Sequence, residues 1–362
     1  MQSRYDLVVV GAGPAGSTAA RYAVAEGLSV LLLDKKKTIG VPVCCGEFLP
    51  APSVAARAFP NAPGTDELFP VDPAAIRRKI RRLVVVSPKG REYPIPLPGC
   101  TIDRDTLDQS LAAAAVREGA TLATETKFLA LDGHTVTTSR GSVRAGVVIA
   151  ADGPLSRVCR FAGLSRSTVL APAVTCRVEA DLGDDLRIFF GKRHAPGGYA
   201  WIFPKDGSAN VGLGLQKSGV PVKRLLESFL ESHGLDPADP IRGCYVPVAG
   251  PLPATVRGPV LAAGDAAGHV VASNGGGIGP AMICGRLAGL AAAAHLLRGE
   301  PLEAYEQAWR QAIGNELQAA LRTKRMADAA FRSDFLMEQV MRALGEWGIE
   351  RVLVYNGTGL FR

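Results

Sequence analysis

The stretch that most constrains the fold is the apolar run Leu7 to Val10, followed at once by Gly11-Ala12-Gly13-Pro14-Ala15-Gly16. A short apolar run reads as a buried parallel strand. Ser17 to Glu26 has helical composition and stops at Gly27, a good C-cap. Ser29 to Leu33 is a second strand, closing on Asp34 and Lys35. Together these make a βαβ unit with an acid about twenty positions after the glycines. Gly11 permits the tight turn, Gly13 lets a phosphate approach the backbone, and Gly16 lets helix and strand pack closely. The helix start, through Pro14 and Ala15, offers free N–H groups and the positive dipole end to a pyrophosphate. Asp34 can accept from ribose hydroxyls.

A second motif answers the first about 250 residues later. Pro259 to Ala263 is apolar, and Gly264-Asp265-Ala266-Ala267-Gly268 follows it. One Gly-x-Gly-x-x-Gly is weak evidence. The pair suggests one long dinucleotide held by both ends of the chain, which favours FAD over NAD. Asn274-Gly275-Gly276-Gly277-Ile278 then leads into an Ala-rich helix ending near Leu297. Such glycines let backbone lie against a flat ring, and the helix start favours negative charge there. The same residues also suit a plain loop before a buried helix.

Between the motifs, Asp103-Arg104-Asp105 precedes a helix over Thr106 to Glu118, which Asp105 can cap. Arg104 can reach a pyrophosphate or lie on the surface. Asp152-Gly153-Pro154 follows the strand Val143 to Ala150, either as a turn or as a border of the nucleotide. Leu83 to Val86 and Arg91 to Pro96 read as a hairpin. Val169 to Ala180, Leu186 to Gly191, Gly198 to Phe203 and Ala209 to Leu215 read as strands of an antiparallel sheet. Leu302 to about Gly345 reads as an amphipathic helical cap. The expected class is α/β: a Rossmann-like FAD-binding domain of the glutathione reductase type, with an inserted, mostly antiparallel substrate sheet and a C-terminal helical region. The expected division is 1–70, 100–165 and 255–300 for the cofactor, 71–99 and 166–254 for the substrate, and 301–362 for the cap.

Tyr199-Ala200-Trp201-Ile202-Phe203-Pro204 sets three aromatics on one strand face at period two. Gly212-Leu213-Gly214 comes shortly after. An aromatic stripe alone is usually core. The combination resembles the geranylgeranyl reductase family, flavoproteins with the fold of p-hydroxybenzoate hydroxylase. The resemblance spans nearly the whole chain, through the Gly11–Gly16 turn, Cys45-Gly46-Glu47, Arg104, Asp152-Gly153, Gly264-Asp265 and the glycines at 275–277. It implies FAD and reduction of isoprenoid double bonds by hydride from flavin N5, on a prenyl diphosphate, lipid or quinone. It implies that Asp265 accepts from the ribityl chain and that Cys45 lies near the flavin.

An isolated alkene must be protonated as hydride arrives, so cationic character develops on carbon, and aromatic faces can stabilise it. Tyr199 and Trp201 suit that role. With Phe203, Gly212 and Gly214 they form the expected substrate wall. Cys45 can donate the proton or shape the pocket, and a vicinal disulfide with Cys44 is a third option. Glu47 and His269 are rival donors. A flavin monooxygenase on the same fold is the alternative activity. A halogenase-type Trp-x-Trp-x-Ile-Pro is absent.

Other features narrow the field. Seven cysteines without a disulfide-like framework argue for a reducing compartment, and no zinc spacing appears. The first residues leave no room for a signal peptide, so the expectation is cytoplasmic, with peripheral membrane contact suggested only by a greasy substrate. The apolar stretch Ile278 to Leu297 is cut by Arg286 and reads as a buried helix. The net charge of +7 fits acidic ligands or anionic membranes and selects neither. The run Arg77-Arg78-Lys79-Ile80-Arg81-Arg82 can bind a diphosphate or lipid headgroups, or be a solvated face beside a strand. Aromatics make up 6% of the chain and do not interleave with it, which argues against nucleic acid. No second nucleotide fingerprint is visible, so the electron donor stays open between NADPH and ferredoxin.

Overall fold

The computed structural model describes residues 2–216 and 218–354. The last residues of the expected C-terminal region, 355–362, lie outside them.

Two eight-stranded sheets organise the chain. In the first, Arg4–Val10 lies at the centre and pairs in parallel with Val30–Leu33 and Gly141–Ala150. Val260–Ala262 and Thr121–Ala123 extend the parallel set on either side. The strands are apolar on both faces because helices or loops cover both. Leu7, Val9, Leu32 and Ile149 join one core cluster, while Val8, Val10, Leu33 and Ala150 join the other. That alternation is the two-residue period of a strand. The Pro14–Ala25 helix starts three residues before the expected Ser17, since proline at the first helical position loses no needed donor.

The Ile278–Arg298 helix packs on Pro14–Ala25 so tightly that a Cβ on Gly285 would meet the Ala15 carbonyl oxygen at 2.3 Å. A Cβ on Gly289 would meet that of Ala19 at 2.3 Å. It is the one described helix long and apolar enough to cross a membrane, and here it is a core helix.

The second sheet runs in the order Arg242–Pro247, Leu170–Val178, Ser208–Gly214, Tyr199–Lys205, Leu186–Phe189, Ile76–Val86, Glu92–Ile102, Phe48–Pro50. All its pairings are antiparallel except Leu186–Phe189 with Ile76–Val86. One face packs on the Val222–Ser232 helix through Leu226, Phe229 and Leu230. The other carries Leu83, Val85, Ile188 and Trp201 toward Met337, Met341 and Ile349 of the Asp334–Leu353 helix. The C-terminal cap comprises Ala304–Trp309, a π-helical stretch Arg310–Gly314, Asn315–Ala330 and Asp334–Leu353. It runs past the expected end near Gly345, where the backbone turns to φ 58° before the helix resumes.

Candidate active site

A cavity of about 1560 Å³ runs between the two sheets and under the C-terminal helices. Gly11, Gly13 and Asp34 line one end, and Phe331, Met341 and Leu344 line the other. It exceeds an ordinary small-ligand site, roughly 300–1,000 Å³, and so has room for a dinucleotide's reactive end plus a long chain.

The aromatic strand walls the middle. Its register explains the spacing to the glycines: Tyr199 faces Gly214, Trp201 faces Gly212 and Phe203 faces Asn210 on the neighbouring strand. A Cβ on Gly212 would meet the Trp201 ring at 2.3 Å and the Val174 carbonyl oxygen at 2.5 Å. Only a glycine lets the indole lie across that strand. The rings continue on both sides. Tyr199–Trp201 centroids are 6.1 Å apart and Trp201–Phe203 6.2 Å. Phe48 follows Phe203 at 6.4 Å, and Phe190 follows Tyr199 at 6.0 Å. The Tyr199 hydroxyl donates to the Asn274 carbonyl, and burial, then nearby Cys45, pushes its pKa up to about 12. It stays a neutral phenol.

The Cys45-Gly46-Glu47 loop lies directly on this strand. A Cβ on Gly46 would sit 3.0 Å from the Phe203 ring and 3.8 Å from Trp201 Nε1. One polar network pins loop to strand. Asn210 Oδ1 accepts from Trp201 Nε1 at 2.7 Å and from Thr175 Oγ1 at 2.9 Å. Asn210 Nδ2 donates to the Cys45 carbonyl at 3.0 Å and to Glu47 Oε2 at 2.8 Å. Lys205 Nζ bridges Glu47 Oε2 at 2.7 Å and Asp103 Oδ1 at 2.9 Å. The Arg104 backbone N–H donates to Glu47 Oε1 at 2.9 Å. These bonds hold Glu47 at a φ of 60°, a left-handed conformation costly for a non-glycine residue.

The dinucleotide end fits FAD. The backbone above Gly13 is open, with nothing within 4 Å of an added Cβ. By contrast, a Cβ on Gly11 would meet the Ala151 carbonyl oxygen at 2.3 Å, and one on Gly16 the Gly11 carbonyl oxygen at 1.8 Å. The Pro14–Ala25 helix has no side-chain cap, which leaves its N-terminal donors to a pyrophosphate. Asp34 accepts from the Ala12 N–H at 2.9 Å and the Lys36 N–H at 2.9 Å, fixing it beside the turn. Gly264, Asp265, Gly276, Gly277 and Ile278 face the same cavity, as does Lys35. Burial pushes Asp265 up to about 6 although Arg104 pulls it back, as for a carboxylate awaiting donors. Burial opposes the charge on Arg104, but Asp108 at 2.8 Å and Cys45 at 3.5 Å overcome that and hold it charged.

A profile of the geranylgeranyl reductase catalytic domain matches residues 172–242, which hold the aromatic strand, the paired glycines and Asn210. A profile of the NAD(P)-binding Rossmann-like domain matches residues 9–45. The digeranylgeranylglycerophospholipid reductase of Methanocaldococcus jannaschii is 32% identical over 94% of this chain and 91% of its own length. A second from Methanopyrus kandleri is 36% identical over 89% of this chain and 86% of its own. The chain belongs to the geranylgeranyl reductase family. It is thus an FAD-dependent oxidoreductase. A geranylgeranyl bacteriochlorophyll reductase-like protein of Thermoplasma acidophilum has the same architecture, with a TM-score of 0.82 and 26% identity, covering 97% of this chain and 93% of that one. A flavin-dependent brominase shares the fold at a TM-score of 0.71 and 20% identity.

Several expectations change. Gly212 and Gly268 do not border the cavity. The first makes room for the Trp201 ring, and the second lets the chain pass the Gly250 carbonyl, 2.5 Å from an added Cβ. His269 lies in the core against Trp309, at 4.6 Å between ring centroids. Burial, helped by Arg310, lowers its pKa to about 3, so the ring is neutral and is no general acid for the site. Glu47 is no free acid, because Lys205, Asn210 and the Arg104 N–H occupy its oxygens. Cys44 is bonded to Cys244, not to Cys45, so the chain does carry a disulfide.

The basic run lies within the Ile76–Val86 strand, and acids neutralise much of it. Arg78 pairs with Asp181 and Asp184 at 3.0 Å each, Arg82 with Asp185 at 2.7 Å, and Arg77 with Asp103. Three of its five cations are therefore already paired within the fold. The helix expected at Thr106 begins at Arg104, and Asp105 sits inside its first turn rather than capping it. Asp152 borders the cavity but spends its carboxylate on Ser156 Oγ and the Arg157 N–H, capping the Arg157–Ala162 helix. Asn210, Lys205, Asp103 and Asp108 were not singled out from the sequence. Only Asn210 carried a signal, as a polar residue inside an apolar strand beside the paired glycines.

Proposed function

We propose that the chain saturates geranylgeranyl-type chains of a prenylated lipid with a polar headgroup, of the kind its digeranylgeranylglycerophospholipid reductase relatives are named for. The observation that carries this reading is the shape and lining of the cavity. It is continuous from the phosphate turn, past an aromatic row, into an apolar space walled by Leu186, Ile188, Phe331, Met341 and Leu344. An extended hydrocarbon fits such a space, and a small polar aromatic substrate would leave most of it empty.

In this reading, residues 1–70, 100–165 and 255–300 chiefly hold FAD, and 71–99 and 166–254 chiefly hold the lipid. Bound FAD, once reduced, supplies a hydride. Trp201 and the neutral Tyr199 present their π faces to the carbon on which positive charge grows. Cys45 holds a proton at Sγ on the loop packed against that strand, and donates it to the second alkene carbon. The Asn210–Glu47–Lys205 network keeps loop and strand at a fixed distance, so donor and alkene meet without rearrangement. The apolar walls exclude water that would capture the cation.

The test is turnover of holoenzyme on a digeranylgeranyl phospholipid, with Cys45→Ser and Cys45→Ala beside wild type. Serine keeps a weakly acidic proton, and alanine keeps none. The reading expects activity to fall in the order wild type, serine, alanine, with FAD content unchanged. Equal turnover by all three would remove Cys45 from the chemistry, and no saturated product from wild type would remove the substrate class.

A further inference from the structure

We propose that the outer face of the two long C-terminal helices is a docking surface for an anionic lipid bilayer, and that the cavity opens there into the membrane. The inference rests on the lipid-substrate reading above and adds where the substrate enters. The Asp334–Leu353 stretch is two helical segments joined by a break at Gly345. Its inner residues Met337, Met341, Leu344 and Ile349 wall the cavity. Its outer residues Phe335, Leu336 and Trp347 are 65%, 42% and 57% exposed. Phe335 and Leu336 stand before the break at Gly345 and Trp347 after it, and large apolar side chains this exposed are a poor surface for water alone.

Two observations turn this face into an entrance. Leu336 and Met326 of the preceding helix, the latter 48% exposed, line the cavity and also reach solvent. They therefore form one part of its rim, as Leu155 and Tyr245, 55% and 49% exposed, form another. On these two helical stretches and the link between them the exposed charges are Arg322, Arg325, Arg332 and Arg342 against Glu346. Three further acids are engaged elsewhere, and Glu350 is half-buried. Asp328 binds Lys324 at 2.8 Å, the Asp334 carboxylate accepts from the Lys192 N–H at 2.9 Å, and buried Glu338 accepts from the Lys89 N–H at 3.2 Å.

Tryptophan and phenylalanine among arginines form the pattern that sits at headgroup depth, with the arginines on lipid phosphates and the rings below them. A lipid with two long prenyl chains is costly to bring through water. A mouth pressed into the bilayer lets one chain slide from hydrocarbon into the apolar cavity while the headgroup stays at the rim.

The chain contains its own reporter. Of its three tryptophans, Trp201 and Trp309 are 7% and 0% exposed, while Trp347 is 57% exposed. The experiment mixes holoenzyme with substrate-free vesicles of phosphatidylglycerol or of phosphatidylcholine. It reads co-flotation, and quenching of tryptophan emission by lipids brominated on the acyl chains. Wild type is expected to float with phosphatidylglycerol vesicles, with quenching, and roughly tenfold less with phosphatidylcholine or in high salt.

The Phe335→Ser/Trp347→Ser variant changes exposed residues that do not line the cavity. It is expected to bind vesicles at least tenfold less and to lose turnover of vesicle-embedded substrate in proportion. On detergent-dispersed substrate it is expected to match wild type. Arg325→Gln/Arg342→Gln should lose the preference for phosphatidylglycerol. Wild type that fails to float, or variants that float and act on vesicles like wild type, would overturn the proposal. So would a stable dimer that covers Trp347 and becomes monomeric in the Phe335→Ser/Trp347→Ser variant. Failure of the substrate reading shows separately, as no reduction of detergent-dispersed lipid by wild type, because vesicle binding is measured without substrate.

Discussion

Replacing Asn210 with leucine, which keeps the branched shape and removes its polar atoms, tests whether the loop and the aromatic strand act as one unit. The change leaves the Trp201 indole N–H and the Cys45 carbonyl without the partner they have here, and takes one of three donors from Glu47. A buried neutral group left unpaired costs about 1–3 kcal/mol, and a lost bond to a charged group about 1.5–3 kcal/mol. Neighbouring losses are not additive, so the sum is about 4 kcal/mol. With an unfolding entropy near 2.1 cal/mol/K per residue, that lowers Tm by about 5 °C in a chain of 362 residues.

A purely structural role would stop there. The positioning role predicts more: below Tm, with FAD content unchanged, kcat falls about 10- to 100-fold, because a displacement of about 1 Å can cost that much. KM should move less, since the apolar cavity is intact. Asn210→Asp sets a second carboxyl against Glu47 and should recover part of the activity toward acid pH, where its protonated form mimics the amide. Asn210→Leu with native Tm and native kcat would refute the reasoning.

Other consequences are accessible to routine assays. His269 is neutral in the fold, with its pKa near 3 against an ordinary 6.5. Its contribution is therefore full above pH 6.5 and is lost as pH falls toward 3, by about 2 kcal/mol at pH 5. His269→Leu should flatten that part of the Tm–pH curve, and an unchanged slope would contradict it. Asp265, raised to about 6, should be drawn back to its ionised form by ribityl hydroxyls. FAD affinity, followed by flavin fluorescence, should then rise about tenfold per pH unit up to about 6 and level off above, with the dependence removed in Asp265→Asn. Trp201→Leu should lower kcat about tenfold or more through loss of its π face, with KM less affected. Full turnover by that variant would end the cation-stabilising role. Gly16→Ala should fail to fold or to load FAD, whereas Gly13→Ala should fold and lose FAD affinity, as thermal denaturation and FAD titration will show.

The parts legible from sequence were those written in short-range pattern. The Gly11–Gly16 turn announces itself because strand, turn and helix are contiguous. The aromatic strand and its glycines were visible as spacing, while the reason for the spacing, each ring crossing a residue of the next strand, needed the register. What escaped joins distant segments. Lys205 meets Glu47 and Asp103 across separations of 158 and 102 residues, and Cys44 meets Cys244 across 200. The basic run stayed open between a ligand site and a solvated face because nothing local shows Asp181, Asp184 and Asp185 lying opposite it. His269 beside the Gly264 motif stayed among the rival proton donors, because sequence proximity does not reveal which side of the backbone faces the core.

The central claim is that reducing equivalents pass from the bound flavin to an isoprenoid double bond within this cavity. Single turnover without oxygen tests it most directly. Dithionite-reduced holoenzyme, freed of excess reductant, is mixed with a digeranylgeranyl phospholipid, and flavin absorbance and product mass are read together. The account predicts one alkene gaining two hydrogens for each flavin reoxidised. A flavin that stays reduced beside an unchanged lipid, and reoxidises only when air is admitted, would contradict it.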